Sequence, residues 1–111
     1  MKKQCLALCA GLLGAYQVAA ADVSHSAKIA FVDTQKNGDI AIRFSSNSEQ
    51  CSNGNNPKTH YIRVGKAGVN ERAYRSLLTN LISAAYAGKT VHIVFDDSTS
   101  NCWISRVNVG F

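Results

Sequence analysis

Two cysteines carry the first chemical question this chain poses. Cys102 stands beside the single tryptophan, Trp103, in the closing stretch TSNCWISRVNVGF, and Cys51 stands in the polar stretch SSNSEQCSNGNNP. A cysteine can attack a substrate as thiolate, bind zinc or be consumed in a disulfide, and each role asks for different company. Nucleophilic catalysis needs a base and a group that orients it. His25, His60 and His92 with Asp96 or Asp97 supply the residue types, but at no spacing that belongs to a cysteine enzyme. Zinc asks for paired ligands at short intervals, and two lone cysteines with three scattered histidines do not offer them. The chain also lacks a nucleophile elbow and a phosphate-binding loop. No catalytic residue, metal or cofactor is expected.

Cys5 and Cys9 belong to a different segment. Lys2 and Lys3 precede an apolar run from Cys5 to Ala15, and Val18-Ala19-Ala20-Ala21 offers small residues for cleavage. That is the layout of a bacterial-style secretory signal over residues 1–21. The apolar run is shorter than the roughly 20 residues of a membrane span, so no span is expected after cleavage. The remaining domain, 22–111, keeps only Cys51 and Cys102, and an even pair in an oxidising compartment reads as a disulfide. Closing a loop of about 50 residues stabilises a fold by roughly 4 kcal/mol on the chain-entropy account. A secreted or periplasmic location follows from the same two observations. The whole chain carries 12 Lys+Arg against 7 Asp+Glu, and losing Lys2 and Lys3 leaves 10 against 7, a net +3. That balance suits an anionic sugar or a membrane surface, whereas no basic run is long enough for a nucleic-acid footprint.

The periodicities predict a single domain of five strands and one helix. KIAFVDT and DIAIRFS flank QKNG, where Asn37-Gly38 predicts a tight hairpin turn with positive φ at both positions. In the second strand Ile40, Ile42 and Phe44 alternate with Ala41 and Arg43, so one face is buried. THYIRVG reads as a third strand after a polar loop that holds the only proline, Pro57. Asn70 then offers an N-cap for a helix over Glu71–Ala87, with Tyr74, Leu77, Leu78, Leu81, Ala84 and Ala85 on one face and Gly88 as the stop. TVHIVFD and CWISRVNVGF supply two final strands; in the last, Trp103, Ser105, Val107 and Val109 share one side, with Ile104 and Arg106 on the other. The expected fold class is mainly β with one α-helix, in the order strand, strand, strand, helix, strand, strand. A small OB-fold-like five-stranded barrel fits that order, and so does a twisted antiparallel sheet with one helix lying across it.

The segment AYRSLLTNLISAAYAGKTVHIVF, from Ala73 to Phe95, resembles the OB-fold B subunits of bacterial AB-type toxins, of the subtilase-cytotoxin and typhoid-toxin type. The likeness lies in an aromatic opening the helix, a Leu-rich middle, a Tyr near its end, a Gly and then a strand. It implies a non-enzymatic subunit that binds host glycans, often sialylated, as a homo-oligomer of five that engages a toxic A-type subunit. In that toxin type a serine just before the first strand contacts the sugar, and Ser24 or Ser26 occupies the comparable place, Ser26 the nearer. Phe95, Asp96 and Asp97 stand where the rest of such a site lies, with Phe95 keeping a stacking face and the acids calling for a base such as Lys28 to offset them.

Plainer readings stand beside these. Serines near a strand are commonly solvated, Asp96-Asp97 before Ser-Thr-Ser-Asn suits a hairpin connection, and Trp103 suits core packing beside a disulfide as well as a stacking platform. The alternative function is a small secreted or periplasmic module, stapled by its disulfide, with another ligand.

Overall fold

The structure is a computed structural model that describes residues 22–110; the expected signal segment, 1–21, lies outside the described residues. The elements run β1 (Asp22–Thr34), β2 (Ile40–Phe44), β3 (Thr59–Ile62), α1 (Glu71–Ala87), β4 (Thr90–Asp96) and β5 (Ile104–Val109). The strands form one antiparallel sheet in the order β3-β2-β1-β4-β5. The predicted element order is therefore the observed one. The sheet is open: β3 and β5, its two edges, approach one another without a hydrogen-bonded ladder, so a closed barrel is not formed.

β1 is longer than its sequence suggests, because DVSHSA joins the strand instead of leading into it. Residues 22–28 pair with β4, and Ile29–Thr34 pair with β2. Between Ile29 and Phe31 the register slips by one residue at Ala30. Such a bulge reverses which side of the strand faces inward and sharpens the local twist. Val23, Ala27 and Ile29 point to the core before it, whereas Val32 shares the face of buried Ile42 after it. A second slip in β5, at Ser105, has the same effect: Ile104 is buried, and Val107 and Val109 also pack against the core. Strict alternation through CWISRVNV thus fails, since the extra residue carries Ile104 to the side it shares with the valines.

The hairpin at Asn37-Gly38 forms, but as a longer connection than the two-residue turn expected. Gly38 N–H donates to Gln35 O at 3.0 Å and Gln35 N–H to Asp39 O at 2.9 Å. Gly38 alone of the pair has positive φ, +92°. Asn37 instead turns its side chain to accept from Asp39 N–H at 3.0 Å, the local bond that makes Asn a turn residue. Asp39 in turn directs its carboxylate at Arg63, just past the end of β3, at 2.6 and 2.7 Å.

The helix caps act as the sequence predicts. Asn70 Oδ1 accepts from Ala73 N–H at 2.8 Å, and Gly88, at φ +64°, lets Lys89 N–H reach Ala84 O at 2.9 Å. Leu77, Leu81 and Ala84 are buried on the face α1 turns to the sheet, with Tyr74 and Leu78 packed beside them. They meet Ile40, Ile42, Ile62, Val91, Ile93 and Ile104 in one core.

The expected disulfide between Cys51 and Cys102 is formed and fully buried. It joins the loop before β3 to the turn before β5, across the gap between the two sheet edges. Asn53 reinforces it, donating from Nδ2 to Thr59 O at 2.6 Å and to Ser100 O at 3.2 Å. Replacing both cysteines by serine should lower unfolding stability by about 4 kcal/mol, read as a fall in the urea midpoint. An unchanged midpoint would show that the gap is held by packing alone.

Candidate functional site

The three histidines take two roles. His25 and His60 lie in a line of edge-to-face rings that runs His25, Phe44, His60, Phe95, with centroids 5.8, 5.5 and 4.5 Å apart. His60 is buried with both ring nitrogens engaged: Nδ1–H donates to Cys102 O at 3.2 Å, which leaves Nε2 to accept from the Ser48 hydroxyl at 3.0 Å. Burial favours the neutral ring and pulls its pKa down to about 4, against a smaller opposing effect of the Cys102 carbonyl. Cys51, His60 and Cys102 bring ligand-type atoms within 4.8 Å of one another, yet both sulfurs are spent in the disulfide.

His92 differs, standing exposed on β4 opposite Ser26 of β1. Ser26 Oγ and His92 Nδ1 are hydrogen-bonded at 2.7 Å. The register extends this rung to Asn108 of β5, with Ser24, Val94 and Arg106 forming the rung on one side and Lys28 paired with Thr90 on the other. The outer face of β1, β4 and β5 is thus largely polar; Lys28 and Arg106 stand on it, and so do Asp22 and Asp96, which pair at its end. No carboxylate hydrogen-bonds His92 among the described residues, so the Ser26–His92 pair has no orienting third group of the kind a hydrolytic triad uses. An open array of hydroxyl, imidazole, amide and cations is suited to holding the hydroxyls and carboxylate of an acidic sugar.

The other residues singled out from sequence fall elsewhere. Ser26 is not before the first strand but inside it, because residues 22–28 pair with β4. Phe95 is fully buried against His60, so the ring face expected to stack on a sugar is not available; the alternation that made β4 recognisable carries Phe95 inward with Val91 and Ile93. Asp96 shares the outer face with Ser26 but lies four residues along β4 from Ser26's partner His92, about 13 Å at roughly 3.4 Å per residue. Its Oδ1 accepts from Ser98 N–H at 2.9 Å, which makes it a turn residue at the end of β4, next to half-buried Asp97. Trp103 is buried under Arg63 and Lys66, whose charged groups lie 5.1 and 5.9 Å from the ring centroid. Its faces are covered, as the core-packing reading requires.

Sequence reasoning did not assign His92, Asn108 or Arg106 to this face. His92 carried a signal in the alternation of TVHIVFD, which puts it opposite Val91 and Ile93. For Arg106 and Asn108 nothing short of the pairing of β5 with β4 reveals the neighbourhood.

No family model matches the chain, and no curated protein matches it. Among solved structures it is similar to the cholera toxin-like B-subunit from Citrobacter freundii, at 12% identity and a TM-score of 0.61, over 99% of this chain and 100% of that one. The chain has a toxin B-subunit-like fold. At this identity the likeness is one of fold, and it bears out the resemblance read from Ala73–Phe95 at that level. None of the described helices is long and apolar enough to cross a membrane.

The neutral His60 makes stability pH-dependent. Its folded pKa is about 4 against an ordinary 6.5 in the unfolded chain. The unfolded state therefore binds the proton first, and stability present above pH 6.5 is lost as pH falls toward 4, by about 3 kcal/mol for a shift of this size. Urea midpoints measured across that interval should fall with acidification. A midpoint that stays level would show that His60 gains a proton without cost.

Proposed function

We propose that this protein is a non-enzymatic binding subunit, exported through the segment 1–21 to the periplasm or beyond, that recognises acidic host glycans in the manner of a toxin B subunit. The observation that carries the reading is the Ser26–His92 pair at the centre of an exposed face bearing Lys28 and Arg106, on a chain with a toxin B-subunit-like fold. The disulfide accords with an oxidising compartment. Ser26 and Asn108 would hold sugar hydroxyls, and Lys28, on the side away from Asp22 and Asp96, a sialate carboxylate. Asp96 and Asp97, at the far end of β4, would limit how the glycan extends in that direction.

The reading includes assembly into a homo-oligomer of five and a partner A-type subunit. Two features support association. β3 and β5 are edge strands with free ladder positions. Val32, Ile82, Ala85 and Tyr86 line an apolar cleft of about 350 Å³ between α1 and β1, with Tyr86 90% exposed.

Native mass in non-reducing buffer, followed by a sialylated-glycan array on the same sample, tests the proposal. A pentamer is expected, with binding that Ser26→Ala weakens about tenfold through loss of one positioned hydroxyl. A monomer silent on the array would sink the proposal and favour a disulfide-stapled module with another ligand.

A further inference from the structure

Beyond the Ala30 bulge, the outer face of the sheet has a different chemistry. Two rungs cross it in register, Phe31–Arg43–Thr59 and Asp33–Ala41–Tyr61. Ala41 is the smallest side chain among them, and the depression it leaves between Asp33 and Tyr61 opens into a cleft of about 160 Å³ that Gln35 also borders. Phe31 is 60% exposed at its rim, an unusual amount for a phenylalanine in mid-strand. Arg43 Nε–H donates to Thr59 Oγ1 at 3.1 Å, which fixes the guanidinium while leaving its Nη groups to a ligand. Neither Arg43 nor Asp33 forms an ion pair among the described residues, although both face the same cleft.

We propose that this cleft binds a single neutral pyranose ring. A ring with one apolar C–H face and a rim of hydroxyls matches an exposed aromatic beside planar donors and acceptors. Phe31 stacks on the C–H face. The Asp33 carboxylate accepts from two hydroxyls, and the Arg43 guanidinium and Gln35 amide donate to or bridge others. The volume is well below the roughly 300 Å³ at which pockets begin to take drug-sized ligands, which suits a single ring. Asp33 and Arg43 offset one another, so the cleft has no net charge to favour an ion, and a neutral ring meets both as hydrogen-bonding partners. A nucleobase would also stack on Phe31, but it lacks the rim of hydroxyls that Asp33 would accept from. No residue is shared with the Ser26 face, and this inference does not depend on that one.

An amide-resolved NMR titration of the disulfide-bonded protein tests it, with the methyl glycosides of glucose, galactose, mannose and N-acetylglucosamine as probes. Concentrations to about 50 mM saturate a site of millimolar affinity. At least one glycoside should shift Phe31, Asp33, Arg43 and Tyr61 in a saturable way. Phe31→Ala and, as a second variant with little risk to folding, Asp33→Asn should each weaken that binding about tenfold, with Ser26→Ala leaving it unchanged. Absence of shifts at the cleft for all four sugars, shifts confined to Ser26 and His92, or preferential binding of a single-stranded oligonucleotide there would each overturn the proposal. Sialyllactose added to the same sample reports on the Ser26 face separately, so either site can fail without the other.

Discussion

The fold depends on how two sheet edges that do not pair are kept together. β3 and β5 curl toward one another around the core, but the ladder that would close the sheet is missing, and an unpaired edge is free to splay or to recruit another chain. Cys51–Cys102 supplies the closure covalently, one residue from each side of the gap. His60 repeats the connection in hydrogen bonds, reaching from β3 to Cys102 O, and Asn53 does so again toward Ser100 O. His60 also packs edge-to-face between Phe44 and Phe95, which ties this clasp to the aromatic core. A domain of this size has a small core, and a covalent contribution of a few kcal/mol is a large part of its stability.

The bulge at Ala30 has a different consequence. One strand runs through both halves of the sheet, pairing with β4 by its first half and with β2 by its second. Because the extra residue inverts the facing of every side chain beyond it, β1 offers serines and Lys28 outward in one half, and Phe31 and Asp33 outward in the other. The two outer faces therefore differ in charge and in aromatic content although they share a strand. The rigid ladder beneath each face holds its side chains at fixed spacings, which is what a weak ligand such as a sugar needs in order to be bound without a large ordering cost.

Charged groups that might have added to these surfaces are tied up elsewhere. Arg63 covers Trp103 and pairs with Asp39, whose carboxyl the guanidinium holds below its usual range by hydrogen bonding. That pair links the β1–β2 turn to the end of β3 and shields the tryptophan from solvent. The basic character of the chain is thus partly structural, whereas Lys28, Arg43 and Arg106 form no ion pair among the described residues.

Local signals in the sequence determined the elements. Asn70 and Gly88 bounded the helix because capping is a matter of neighbouring backbone groups, Ile40, Ile42 and Phe44 marked a buried strand face because side chains alternate, and the pairing of Cys51 with Cys102 followed from their being the two left outside the expected leader. Most of the fold and the disulfide were legible for that reason. Of the residues on the proposed face, Ser24, Ser26 and Lys28 were named from the sequence, and His92, Asn108 and Arg106 were not assigned to it. Phe95 was misplaced because an aromatic in an alternating strand reads the same whether its ring faces a sugar or the core. Whether Ser26 lies before or within β1, which residues share its rung, where the bulges invert the alternation and whether the sheet closes are set by register between strands more than 60 residues apart, as Ser26 and His92 are. Register is a property of packing between distant segments, and no window of sequence contains both partners.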